Sequence, residues 1–151
     1  MITTYDIMLR LGCATVVGLA LGLDRELRGI PAGLRTHALV GLSAAAITVS
    51  ALLLHDTLDA DGRTRTDPLR VVQGLAQAIG FIAAGVIFVA RDQVQNVTSA
   101  ANVWLTAAVG IAAGAGQFVL VATTSGLGLF VLIIVKLIER KLPRPPRDGG
   151  G

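Results

Sequence analysis

The sequence predicts an all-α fold, a polytopic transmembrane bundle of about five helices with its N-terminus outside and its C-terminus inside. Three observations carry that reading. Of 151 residues, 53% are hydrophobic and only 15% are charged, against roughly 25% charged in an ordinary soluble domain. Mean hydropathy is +0.70. The charges are confined to a few stretches, leaving apolar runs near the ~20 residues that a helix rising ~1.5 Å per residue needs to cross a ~30 Å hydrocarbon core.

The first span is expected at residues 8–23, interrupted only by Arg10, whose long side chain can snorkel to the membrane edge. No Lys/Arg-rich leading region and no Ala-x-Ala site mark this run for removal, so it is read as a retained span. A charged hairpin follows at residues 24–37, where Gly29, Pro31 and Gly33 stop the helix. The second span is expected at residues 38–54. Residues 55–70 hold Asp56, Asp59, Asp61, Arg63, Arg65 and Asp67 without apolar periodicity and read as a loop. Asp67 then caps a third span, residues 71–90, with Pro68 at its first position, where the missing N–H costs nothing.

From Gln93 to Val135 there are 43 residues without a charge, ~65 Å of continuous helix and therefore two crossings. The break is placed at Gly114-Ala115-Gly116-Gln117, giving spans at residues 100–115 and 118–138, with residues 93–99 as loop or helix cap. The transmembrane domain thus covers residues 1–142, and the basic, Pro- and Gly-rich residues 143–151 read as a disordered tail.

Five spans put the two ends on opposite sides. With the C-terminus inside, nine of the 13 basic residues fall inside and four, Arg10, Arg63, Arg65 and Arg70, outside, which is the bias the positive-inside rule favours. Four small-residue pairs, Gly18/Gly22, Gly41/Ala45, Gly80/Ala84 and Gly110/Gly114, each put two small side chains on one helix face. They are read mainly as packing faces within the bundle, with homo-oligomerisation left open.

Several function classes are excluded. The net charge of +3 comes without a basic stripe, interleaved aromatics or zinc spacing, so no nucleic acid is expected as a partner. Cys13 stands alone, which rules out an intrachain disulfide. His37 and His55 lie near opposite ends of the second span, and no Ser/His/Asp spacing, phosphate loop or HExxH appears, so no catalytic residue and no enzyme activity is expected. What stands out is the hairpin. Asp24, Arg25, Glu26 and Arg28 close the first span, and Arg35, Thr36 and His37 open the second. The two clusters are expected to face each other, Asp24 pairing with Arg28 at i,i+4 and Glu26 reaching Arg35.

The string GLDRELRGIPAGLRTHALVGLSAA, residues 22–46, closely resembles the signature of the MgtC/SapB family of bacterial inner-membrane proteins. The resemblance continues through DPLRVVQGLAQAIGFIAAGVIF, residues 67–88, and VTSAANVWLTAAVGIAAGAGQ, residues 97–117, and so covers nearly the whole chain. Asn96 stands where the family usually has Gly, Ile82-Ala83 replaces a common Leu-Gly, and Ser99 replaces Thr. The short basic tail stands where some members carry a soluble regulatory domain. The resemblance implies a role in adaptation to low magnesium, linked to survival of pathogens in host cells, and in some members an interaction with the F-type ATP synthase. It puts the functional weight on Asp24, with Arg25, Glu26, Arg35, Thr36 and His37 around it; Asp67, Arg70, Gln73 and Gln77 are secondary candidates.

Two functions follow. A membrane regulator would dock on other membrane proteins and use the charged hairpin to set the contact, without a cofactor. A magnesium conduit would need carboxylates, with Asp24 and Glu26 inside and Asp56, Asp59, Asp61 and Asp67 outside as mouths of an oligomeric pore. The regulator is favoured, because residues lining a pathway normally lie within the membrane and these lie at its edges. Gln73 and Gln77, one turn apart in the third span, are expected to join helices by hydrogen bonds, and Trp104 to anchor at the interface.

Overall fold

Thr3 starts the first helix. Its hydroxyl accepts from the Asp6 backbone N–H at 3.1 Å while the Asp6 carboxylate accepts from the Thr3 N–H at 2.9 Å, a reciprocal cap that satisfies two otherwise orphaned donors. The chain, seen in a computed structural model that describes residues 2–60, 67–90, 93–135 and 137–138, then runs through α1 (Thr4–Glu26), α2 (Leu34–Ala60), α3 (Leu69–Val86), strands β1 (Phe88–Ala90) and β2 (Gln93–Gln95), α4 (Val97–Gly114) and α5 (Phe118–Phe130). A π-helical stretch, Val131–Val135, prolongs α5. All five helices, the fifth taken with its π-helical continuation to Val135, are long and apolar enough to cross a membrane. The tail at 143–151 and the segment 61–66, with Asp61, Arg63 and Arg65, lie outside the described residues.

The span boundaries differ from expectation in several places. The first helix runs from Thr4 to Glu26 rather than over residues 8–23. The second helix starts at Leu34 and runs to Ala60, taking in His55 and Asp56, which the sequence assigned to a loop. Charge alone does not break a helix, and no Gly or Pro intervenes between Gly41 and Gly62. The third helix stops at Val86 instead of residue 90 because Ile87 turns extended, with φ −83° and ψ 130°. The β-favouring run Phe88-Val89 continues it as a short antiparallel hairpin, pairing Phe88 with Gln95 and Ala90 with Gln93. The fourth helix consequently begins at Val97 rather than 100. Between hairpin and helix, Asn96 takes a left-handed conformation at φ 65° and donates its amide to the Val86 carbonyl at 3.3 Å. Asparagine is among the few side chains that tolerate this region, which accounts for its standing in a glycine's place.

Two expected breaks form where the sequence places them. Asp67 accepts from the Leu69 N–H at 2.9 Å, capping α3. Gly116, at φ 76°, ends α4, its N–H bonded to the Ala113 carbonyl and the Gln117 N–H to that of Ala112, both at 2.9 Å.

α4 is the axis of the bundle. It touches each of the other helices, and 61% of it is buried where the other spans are buried over 17–33%. Small residues make that density achievable. A Cβ on Gly110 would lie 2.5 Å from the Gly41 carbonyl, one on Gly114 2.6 Å from that of Ala45, and one on Gly18 2.6 Å from that of His37. The small pairs on α1, α2 and α4 therefore pack inside the bundle, as expected. Around them the apolar core gathers Ala14, Ala45, Val109, Ala112, Ala113 and Val121.

Candidate functional site at the hairpin end of the bundle

The hairpin is built by its own motif. Gly29, at φ 62°, ends the helical geometry, and the Ile30 N–H returns to the Arg25 carbonyl at 3.0 Å. Glu26 lies exposed at the turn and accepts from the Leu34 N–H at 3.1 Å, placing a carboxylate at the positive end of α2. Gly33 leaves room for it, since a Cβ there would meet Glu26 Oε2. Glu26 is thus committed to the start of α2 instead of reaching Arg35, which is exposed.

The seven-residue cluster divides. Asp24 and Arg28 form the expected ion pair at the membrane edge, where such a pair contributes about 0–1 kcal/mol. Thr36 is half-buried. Arg25 and His37 turn inward, 4% and 0% exposed. The Arg25 guanidinium donates through Nη2 to the Ser99 hydroxyl on α4 and through Nε to the Pro31 carbonyl at 3.4 Å, tying α1, the hairpin and α4 together. His37 meets the Gly33 carbonyl through Nδ1 at 3.0 Å and the Asn102 side-chain amide through Nε2 at 2.8 Å.

Asn102, 2% exposed, fixes the roles in this junction. Its Nδ2 also donates to the Leu21 carbonyl on α1 at 3.1 Å; exchanging its O and N would set two oxygens against each other there, so the amide must present N–H to both neighbours. His37 Nε2 is then an acceptor and Nδ1 carries the proton that goes to Gly33. One atom is left over. Asn102 Oδ1 is buried without a hydrogen-bond partner among the described residues, a polar atom at the meeting of α1, α2 and α4 where a bound water would complete the network.

Ser99, Asn102 and Thr106 are all buried and follow i, i+3, i+7 on α4, a polar stripe in an apolar helix to which the sequence motifs do not point. Arg10 is held at the end of a span: its guanidinium donates to the Gly114 carbonyl at 2.8 Å, a cation at the negative end of α4.

Asp24 and Arg25 open onto a cavity of about 550 Å³ shared with Asn96, Thr98 and Ser99. Asp67 and Arg70 lie far along the chain at the start of α3, exposed. Gln73 and Gln77 do not join helices of this bundle: both are exposed. Trp104 sits seven residues inside α4, ~10 Å from its start, exposed over about half of its surface beside a groove it lines with Leu75 and Ile79 of α3. Among the described residues, no three His, Cys, Asp or Glu side chains are grouped to hold a metal ion.

The family model described as the MgtC family matches residues 11–141. YhiD of Escherichia coli (strain K12), named as a candidate magnesium transporter, is 38% identical over 140 residues, 92% of this chain and 65% of that protein. SapB of Bacillus subtilis (strain 168) is 37% identical, covering 88% of this chain and 56% of its own. MgtC of Brucella abortus (strain 2308) is 33% identical over 83% of this chain and 48% of its own length. The chain thus spans from about half to just under two thirds of these relatives. No solved structure matches it.

Proposed function

The chain belongs to the MgtC family, and from that premise we propose that it is a non-enzymatic protein of the bacterial inner membrane that serves adaptation to low magnesium by contacting another membrane protein. The contact surface is the α1–α2 hairpin, and the F-type ATP synthase is the partner that the family resemblance implies. One observation carries this reading: the ionisable side chains that enter the bundle from the hairpin are Arg25 and His37, both held by hydrogen bonds, while the carboxylates stay at the edge, Asp24 against Arg28 and Glu26 on the Leu34 N–H. A buried guanidinium repels a divalent cation, and magnesium is held by one or two carboxylates with neutral oxygens and its own waters. An edge bearing Arg35 and the Asp24–Arg28 pair suits a protein contact whose specificity comes from charge complementarity.

A second reading, magnesium transport, is favoured by the name of the E. coli relative. Asp24 and Glu26 are its carboxylate candidates on the hairpin side. Magnesium flux into liposomes holding the purified, inserted chain at a fixed gradient separates the two. The expected result is no flux above empty liposomes, with Asp24→Asn abolishing partner capture in cells while leaving the fold intact. Flux that disappears in Asp24→Asn would overturn the regulator.

A further inference from the structure

α3 is attached to the bundle by one narrow stripe. Its buried residues are Leu75, Ile79 and Ala83, at i, i+4 and i+8, which meet α4 near Ala107. The opposite side is largely exposed. There Gln73, Gln77, Gly80 and Ala84 follow each other at spacings of four, three and four, the repeat of a heptad seam. Gln73, Gln77 and Ala84 are exposed, and nothing lies within 4 Å of a Cβ built on Gly80. Of the four small-residue pairs, this is the one that the bundle leaves unused.

The glutamines make that face more than a bare stripe. Gln77 lies eight residues from the start of α3, ~12 Å along a helix of ~27 Å, and so near the middle of the hydrocarbon. A primary amide brings two donors and an acceptor to a depth where lipid offers neither. Among the described residues neither glutamine has a hydrogen-bond partner.

We propose that this seam is a homodimer contact, with α3 of a second copy lying parallel along it, the Gln73 and Gln77 amides bonding to their equivalents and Gly80 and Ala84 letting the helices close. The identity of the occupant follows from symmetry. Two copies inserted with the same topology are related by a two-fold axis along the membrane normal, which brings every residue of the seam opposite its own equivalent at equal depth. An amide is complementary to itself, donor to acceptor, as an ammonium or carboxylate is not. Arg70, one turn before Gln73, meets its equivalent only at the membrane edge, where water and salt screen the pair. The dimer is independent of the function proposed for the hairpin, which lies on α1 and α2.

Disulfide crosslinking of the full chain in native membranes tests it. Cys13 is the only cysteine, so Cys13→Ser provides the background for single cysteines at Ala84, on the seam, and Ile82, exposed on another face of α3. The expected result is a covalent dimer of twice the chain mass from Ala84→Cys and not from Ile82→Cys. Adding Gln73→Leu and Gln77→Leu lowers the Ala84→Cys dimer by about tenfold, the effect of losing two or three interhelical hydrogen bonds. These glutamines are exposed and make no hydrogen bond within the bundle among the described residues, so unchanged melting of the variant in detergent distinguishes lost pairing from lost fold. Equal crosslinking at both positions, a yield insensitive to the glutamines, or an adduct with a different protein at Ala84 overturns the homodimer.

Discussion

The His37–Asn102 contact offers the sharpest test of the polar junction. Removing the amide with Asn102→Ala strips His37 Nε2 of its donor and leaves it buried at 0% exposure. An orphaned buried acceptor costs about 1–3 kcal/mol, partly offset by disposing of the unpartnered Oδ1. The expected loss is about 2 kcal/mol. His37→Leu removes the other partner, freeing one Asn102 N–H, and costs a similar amount through the orphaned donor and the lost bond to Gly33. In the double variant neither side has an orphan from this contact, so the two losses must not add. Interhelical hydrogen bonds in membranes average ~0.6 and reach ~1.7 kcal/mol; with complete burial and avoided orphans on both sides, the coupling expected here is about 1–1.5 kcal/mol. Cavity and shape effects cancel in the cycle, each appearing once in a single variant and once in the double. Reversible unfolding in mixed micelles measures all four corners. Additivity within about 0.3 kcal/mol would show that the contact contributes nothing as a pair and refute the network.

Two further outcomes follow from the packing. Gly18→Ala sets a Cβ 2.6 Å from the His37 carbonyl, a backbone atom that cannot swing aside, and is expected to cost at least about 3 kcal/mol or prevent folding. Gly12→Ala, with nothing within 4 Å on the same helix, should instead stabilise by up to about 1 kcal/mol; detergent melting of the pair checks both signs. Arg10→Met removes the guanidinium from the Gly114 carbonyl and should lower stability by about 1–2 kcal/mol, with Arg10→Lys recovering part of it, read by the same melting assay.

Charge and turn residues made the helices legible, because Asp67-Pro68, Gly29 and Gly116 act within their own turn and need no tertiary neighbour. Boundaries that depend on competition were not legible. Ile87-Phe88-Val89 is as apolar as the helix before it, so hydropathy continues the span where β preference ends it, and the acids of residues 55–60 look like a loop although nothing there stops a helix. The site was legible as a location and not as a geometry. The motif names Arg25 and Arg35 alike, but rotation about α1 and α2 sends the first into the bundle and the second to the surface. The partners on α4 were readable in principle. Ser99, Asn102 and Thr106 keep to one face of an otherwise apolar helix, and a polar stripe there announces polar neighbours.

The structure also separates the signature into residues already employed and residues left over. Gly18 and Gly22 admit the backbone of His37 and Gly33. Gly33 makes room for Glu26, Glu26 holds the first turn of α2, Pro31 offers its carbonyl to Arg25, and His37 reaches Asn102. Each of these needs no ligand or partner to explain its identity, since changing it would loosen the hairpin. Asp24, Arg28 and Arg35 make no hydrogen bond to the hairpin turn or to another helix among the described residues. The first two form a pair at the membrane edge of little energetic worth, and the third projects outward. Loss of function on changing Arg25 or His37 would therefore report damage to the clamp, and only changes at Asp24, Arg28 and Arg35 address what the clamp presents.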